Sequence, residues 1–259
     1  MEFKKFFPFP ELASAHGQEI DTLIYLIHIL MLVLFVGWGI YFIIVLLRFN
    51  RWKNPKANYH GVHNHASTVV EIAVAVIEAV LLIGFSIPFW AQHVNALPTG
   101  ENIVEIRVVA EQFAWNIHYP GPDGVFGKTD MKYFDKQTNP LGIDPNDPNG
   151  KDDFTTINQL HLPIGRPVVI RLTSKDVIHC FSLPVMRVKQ DAIPGMTIPV
   201  WFIPTKTGNF EIACAQLCGL GHYYMKGALV IHTPEDFNKW LEQQEASAAS
   251  SEGGDSFWN

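Results

Sequence analysis

Apolar and polar positions divide the chain into two unlike halves. From Thr22 to Leu47 no Asp, Glu, Lys or Arg occurs. That run is longer than the roughly 20 residues a helix needs to cross a bilayer. Val69–Ala91 is a second apolar run, interrupted by Glu71 and Glu78. The pattern predicts a hairpin of two spanning helices, at about 22–47 and 69–91, after a mixed N-terminal segment, 1–21. From about residue 102 the pattern becomes short runs rich in Val, Ile and aromatics, separated by Gly, Pro and Asp. The runs are Ile103–Val109, Gln112–Tyr119, Gln159–Leu162, Pro167–Thr173, Val177–Phe181, Ile198–Ile203, Gly208–Ala213 and Ala228–His232. This predicts an all-β sandwich or barrel over about 98–233. At Thr233-Pro234-Glu235-Asp236 a helix begins, with Thr233 as N-cap, Pro at the first position and acids at the positive end of the dipole. It is expected to end near Glu245, with 246–259 disordered.

Charge adds orientation. Arg48, Arg51, Lys53 and Lys56 follow the first apolar run, whereas no Lys or Arg lies between Gln92 and Ile106. Cytoplasmic loops carry the excess of basic residues, so the 48–66 loop is expected inside and both the N-terminus and the β domain outside. Lys4-Lys5 leads into prolines and acids instead of an apolar core, so no cleaved signal is expected. The 259 residues are 48% hydrophobic with a net charge of −6 and no basic block, which excludes nucleic acid as a partner. His60, His63 and His65 in the short loop have no acid or thiol beside them and read as solvated, and His28 reads as packed or headgroup-level. Residues 120–156 interrupt the strands with Gly, Pro, Asn and Asp. That is an inserted acidic surface loop whose spacing does not fit a calcium hand.

The chemistry is concentrated in Cys214-Ala215-Gln216-Leu217-Cys218-Gly219-Leu220-Gly221-His222-Tyr223-Tyr224-Met225. Two thiols, an imidazole and a thioether suit copper far better than a hard cation. Zinc would accept the Cys and His but has little use for Met. A disulfide between the two Cys would leave Met225, the glycines and a distant His179 unexplained, and a mononuclear blue-copper site needs one Cys. Gly219 and Gly221 are expected to supply tight backbone reversals. The third cysteine, Cys180, should face away from the metal as a small buried residue.

The loop resembles the CuA loop of the cytochrome c oxidase subunit II family, C-x-E/Q-x-C-G-x-x-H-x-x-M. Asp176-Val177-Ile178-His179-Cys180-Phe181-Ser182-Leu183-Pro184 resembles its D-V-x-H-x-F/W-x-x-P, and Lys189-Gln190-Asp191-Ala192-Ile193-Pro194-Gly195 its K-x-D-A-I/V-P-G. The resemblance implies a cupredoxin-like Greek-key domain on a two-helix transmembrane hairpin, with a short C-terminal helix. It also implies an electron-transfer subunit that takes electrons from cytochrome c and passes them to haem in subunit I, where oxygen is reduced to water. The implied ligands to two coppers are bridging Cys214 and Cys218, one imidazole each from His179 and His222, and the weak ligands Met225 and the Gln216 carbonyl.

Further residues follow by the same resemblance. Glu71, in Val70-Glu71-Ile72, sits where the family has the mouth of a proton channel into subunit I. Glu78 stands where the family more often has Pro. Phe113 and Trp115 fall in the family's Q-W-Y-W segment, with Phe113 at the Trp position through which the electron usually enters. Gln216 replaces the commoner Glu, whose carboxylate helps hold magnesium at the boundary with subunit I, which weakens that carry-over; Asp191 lies near the same boundary. His118 replaces a common acid, while Asp176 could contribute to a docking surface for a basic donor. Together these imply an integral membrane protein, with its copper domain on the periplasmic face of a bacterial inner membrane. Other readings are a CuA subunit of another haem-copper reductase such as nitric oxide reductase, a quinol-oxidase scaffold without copper, and a tethered copper chaperone. The intact ligand set opposes the scaffold, and carboxylates within the helices exceed what a tether requires.

Overall fold

The computed structural model describes residues 9–56, 59–61, 64–94, 97–100 and 102–252. His63 and residues 253–259 lie outside them. The chain forms two compact units, one of residues 18–96 and one that joins the first 17 residues to the chain from Leu97 onward.

The helical unit holds α1 (Gly17–Arg48) and a second helix, α2 (Ala66–Ala79), continued by a π-helical segment (Val80–Ser86) and α3 (Ile87–Val94). Both helices are long and apolar enough to cross a membrane, and their apolar side chains are largely exposed. His28 Nδ1 lies 2.8 Å from the Ile24 carbonyl, which makes it a histidine satisfied by its own helix. The π segment follows from Pro88: proline has no N–H and its ring crowds the carbonyl four residues back, at Gly84. The ladder widens ahead of it, so that the Ile87 N–H and the Ser86 hydroxyl each donate five residues back, to Leu82 and Leu81. Glu71 and Glu78 are both exposed on α2.

The other unit is two five-stranded sheets, the all-β cupredoxin-like architecture the resemblance implies. In chain order the strands are β1 (Val104–Glu111), β2 (Ala114–Tyr119), β3 (Phe154–Ile157), β4 (Gln159–Pro163), β5 (Val168–Ser174), β6 (His179–Leu183), β7 (Val188–Ala192), β8 (Ile198–Phe202), β9 (Gly208–Cys214) and β10 (Lys226–His232). One sheet runs β3-β2-β1-β5-β8 and the other β4-β10-β9-β6-β7. β1–β5 and β4–β10 are parallel pairs, and the rest are antiparallel. Alternate residues of both sheets build one core, including Ile106, Val108, Trp115, Ile117, Leu160, Leu172, Phe181, Phe202 and Ile212.

Two strands were not expected. β3 is a four-residue edge strand directly after the inserted loop, which therefore stops at Asp153 and not at 156. β7 reads Val-Lys-Gln-Asp-Ala. Its buried Val188 and Ala192 alternate with exposed Lys189 and Asp191, so the charges that guard an exposed edge conceal the strand.

The described N-terminal residues, 9–17, pack into the β unit. Ala13 is fully buried, and the Ala13 and Ala15 N–H groups donate to the Val185 and Ile203 carbonyls. The Ser14 hydroxyl donates to the Met186 carbonyl at 2.6 Å, and Arg187 donates to the Pro10 carbonyl at 2.8 Å.

The inserted loop is tied down as well. His118 and Asp153, both buried, meet at 2.6 Å, and Arg107 lies over Phe126 at 4.1 Å. Lys175 binds Glu111 and the Pro140 carbonyl, both at 2.6 Å.

At the far end of the strands α4 (Pro234–Glu252) begins as expected, with the Thr233 hydroxyl accepting from the Asp236 N–H at 3.2 Å. It continues to Glu252 instead of ending near Glu245, because 246–252 are mostly Ala, Ser and Glu with no Gly or Pro to stop it. Trp240 of α4 stacks on His161 at 4.3 Å, whose Nδ1 lies 2.8 Å from His232 Nε2. Burial, and then the neighbouring His232, push His161 down to about 4, so this pair is neutral at neutral pH and one ring donates to the other.

Candidate metal centre

Strand register brings the chemistry to one end of the β unit. β6 and β9 pair through Phe181 and Cys214, which sets His179, at the start of β6, beside the end of β9. β10 returns along β9, and the Cys214 N–H donates to the Met225 carbonyl at 3.1 Å. Residues 215–224 therefore form a closed loop anchored on two paired strands.

The six sequence-predicted donors converge there. Cys214 and Cys218 Sγ are 3.8 Å apart. Cys218 Sγ is 3.6 Å from His222 Nδ1 and 3.8 Å from Met225 Sδ. Met225 Sδ is 3.1 Å from His179 Nδ1, and Cys214 Sγ is 3.2 Å from the Gln216 carbonyl. A disulfide needs sulfurs about 2.05 Å apart, so these are two separate thiols. His179, Cys214 and Cys218 are the one group of three among the described residues whose His, Cys or carboxylate atoms approach closely enough to share a metal. Burial, and then Cys214, push the Cys218 thiol up to about 11. A cation that binds thiolate must therefore displace its proton. Soft sulfur with imidazole is a donor set that fits copper.

The two loop glycines serve different needs. Gly219 has φ 137°, a conformation that L side chains rarely adopt. Gly221 has φ −91° and makes no such reversal. It is required because the Phe113 ring lies where its Cβ would be.

The aromatic candidates separate. Phe113 covers the metal loop and is 36% exposed, whereas Trp115 is fully buried. Trp115 sits edge-on to His179, with ring centroids 6.2 Å apart, and to Phe181 at 5.3 Å.

Cys180 is buried and its thiol lies by Asp191; burial first, and then Asp191, push it up to about 12. Asp176 lies at the surface and is hydrogen-bonded there. Burial works to raise its carboxyl, but hydrogen bonds from His179, Val177 and Gln112 prevail and hold it below the usual carboxylate range. His118, buried against Asp153, takes no part in the metal end. Gln216 is exposed. The residue that sequence reasoning missed is Gln112, which donates from its side chain to the Cys218 carbonyl at 2.6 Å. Only its place beside Phe113 hinted at it.

Comparison with known proteins points to one family. The family profile described as cytochrome C oxidase subunit II, periplasmic domain, matches residues 104–233. The chain is 35% identical over 208 residues to the alternative cytochrome c oxidase subunit 2 of Bradyrhizobium diazoefficiens, covering 80% of this chain and 73% of that protein. It is 45% identical over 99 residues to cytochrome c oxidase subunit 2 of Thermostichus vulcanus, covering 38% of this chain and 30% of that protein. Among solved structures, the periplasmic domain of subunit II of cytochrome oxidase from Bradyrhizobium japonicum is 30% identical, with a TM-score of 0.43, covering 59% of this chain and 99% of that one. The profile covers half of the sequence, over the strands that carry the converging donors, and the first relative covers 80% of it: the chain belongs to the cytochrome c oxidase subunit II family.

Proposed function

We propose that this chain is the electron-relay subunit of a terminal respiratory oxidase. It receives electrons from cytochrome c or an equivalent donor at a binuclear copper (CuA) centre and passes them to haem in subunit I, where oxygen is reduced to water. The observation that carries this reading is the convergence of six donors on one rigid end of the β unit. Cys214 and Cys218 would bridge the two coppers and His179 and His222 hold one each, with Met225 and the Gln216 carbonyl as weak ligands. Bound there, copper would supply a one-electron couple. The protein supplies rigidity, with ligands fixed by paired strands so that little moves between redox states. Burial of Cys218, Met225 and His179 keeps water from the sulfur cluster.

Phe113, and not Trp115, is the aromatic at the surface over this loop. Around it Leu217, Leu220, Tyr223 and Tyr224 are exposed, an apolar crown suited to a protein donor. Gln216 offers an amide where a hard cation would favour a carboxylate, so magnesium is not needed for the copper set. The family relatives named above are oxidase subunits, which favours an oxidase over nitric oxide reductase.

The β unit is proposed to face the periplasm of a bacterial inner membrane. Its packed N-terminal segment supports this, since chain segments that pack together share one side of a bilayer. The helices between them then cross an even number of times, with the basic 48–66 loop inside.

The test is to load the full chain with copper in detergent, count metal per chain and record its EPR spectrum. Two coppers sharing one unpaired electron are expected; one copper, or a signal localised on a single ion, would sink the reading.

Glu71 is proposed as the proton-channel entrance. In the assembled oxidase, Glu71→Ala is expected to slow turnover severalfold and leave the copper signal alone. Unchanged turnover would remove that role.

A further inference from the structure

The tip of the β1–β2 hairpin reaches both loops that carry ligands. The Gln112 main-chain N–H donates to Asp176 Oδ2 at 2.7 Å, and its side-chain amide donates to the Cys218 carbonyl at 2.6 Å. The other oxygen of Asp176 lies 2.8 Å from His179 Nε2 and accepts from the Val177 N–H at 2.6 Å. His179 is fully buried. An ionised carboxylate only accepts, so this contact requires the imidazole proton to be on Nε2. In a neutral ring that leaves the lone pair on Nδ1, the nitrogen that lies 3.1 Å from Met225 Sδ.

We infer that Gln112 and Asp176 are positioning residues that set the metal centre before any metal arrives. Asp176 selects the tautomer of His179, and Gln112 fixes the spacing between the His179 strand and the Cys218 loop. A carboxylate behind a metal-binding histidine fixes its tautomer and ring orientation, and losing such a partner costs about 10–100-fold in metal affinity. Here the carboxylate is itself held from the main chain by a third element, and the same residue grips the thiol loop. A strand tip that binds no metal thus ties two ligand loops together. Both oxygens of Asp176 are hydrogen-bonded within the β unit, while its side chain stays 32% exposed.

The inference rests on the copper reading for its purpose, but its first test does not. In the copper-free full chain in detergent, with histidine labelled by 15N, NMR correlation of the ring nitrogens is expected to show His179 as the neutral Nε2–H tautomer. Asp176→Ala should convert it to a mixture or to Nδ1–H. Asp176→Asn, which keeps an acceptor oxygen, should restore Nε2–H in part. Gln112→Ala should leave the tautomer in place, because its main-chain N–H remains, but should speed amide hydrogen exchange of residues 215–224 at least about tenfold. On copper titration Asp176→Ala should bind about 10–100-fold more weakly than wild type. An Nδ1–H tautomer in the wild type would overturn the inference, as would Asp176→Ala with both tautomer and copper affinity unchanged, or Gln112→Ala with unchanged exchange. If the wild type showed the Nε2–H tautomer and bound no copper, the positioning would stand and the relay function would fall.

Discussion

In the proposed binuclear centre, Cys218→Ser is expected to cut bound copper to one ion per chain at most and to abolish any signal shared between two ions. Cys218 is the hub of the donor set. Its sulfur lies within 4 Å of Cys214, His222 and Met225, whereas Cys214 contacts Cys218 and the Gln216 carbonyl. A serine hydroxyl is a hard donor that keeps its proton at neutral pH, so it can neither neutralise nor bridge two soft cations. Cys218 is also buried, so a retained copper ion would have no thiolate on the inner side of the loop. Cys214→Ser should be less severe, because Cys218 still reaches His222 and Met225. Copper content by atomic absorption with EPR on the same samples measures both. Full two-copper binding by Cys218→Ser would show that the sulfur does not bridge.

The second large effect lies one layer deeper. Trp115→Ala is expected to destabilise the β unit by roughly 3–5 kcal/mol, the usual cost of removing a large buried aromatic. The ring is fully buried, edge-on to Phe181 and His179. Its main-chain N–H is held by Asn158 Oδ1 at 2.8 Å, so the strand around it has little room to collapse into the space left. For a unit of this size that corresponds to a fall in melting temperature of about 6–20 °C. Urea unfolding of the copper-free chain, followed by near-ultraviolet circular dichroism, gives the free energy. A loss below about 1 kcal/mol would mean that the ring is not part of the packed core. Phe113→Ala removes a partly exposed ring and should cost far less, which separates the aromatic that supports the site from the one at the surface over the metal loop.

What the sequence revealed depended on how local each feature is. The donors from Cys214 to Met225 lie within one short run, so their types pointed to a soft metal and the family resemblance implied the ligand set, and two apolar runs with a basic loop between them declared the hairpin. The supports of the site are nonlocal. Gln112 meets Cys218 across 106 residues, and nothing about a glutamine beside aromatics announces that contact. Strands β3 and β7 escaped because one is very short and the other wears charges on its outward face. Gly221 was assigned to a backbone reversal because glycine often serves one; here it makes room for the Phe113 ring of the β1–β2 turn. The extension of α4 was missed for the opposite reason: a run of Ala and Ser reads as disorder by composition, yet nothing in it forbids a helix.

The N-terminal segment sets an order of events during synthesis. Ser14 hydrogen-bonds to Met186, 172 residues further along the chain, and Glu11 pairs with Lys206 across 195 residues. When the segment leaves the ribosome none of its partners exists, and it must wait until β6, β7 and β8 have been made. Closing so long a loop costs entropy and yields contacts only at the end. Its docking therefore cannot precede the synthesis of Lys206, and protease resistance near Ser14 would report that this part of the β unit has formed.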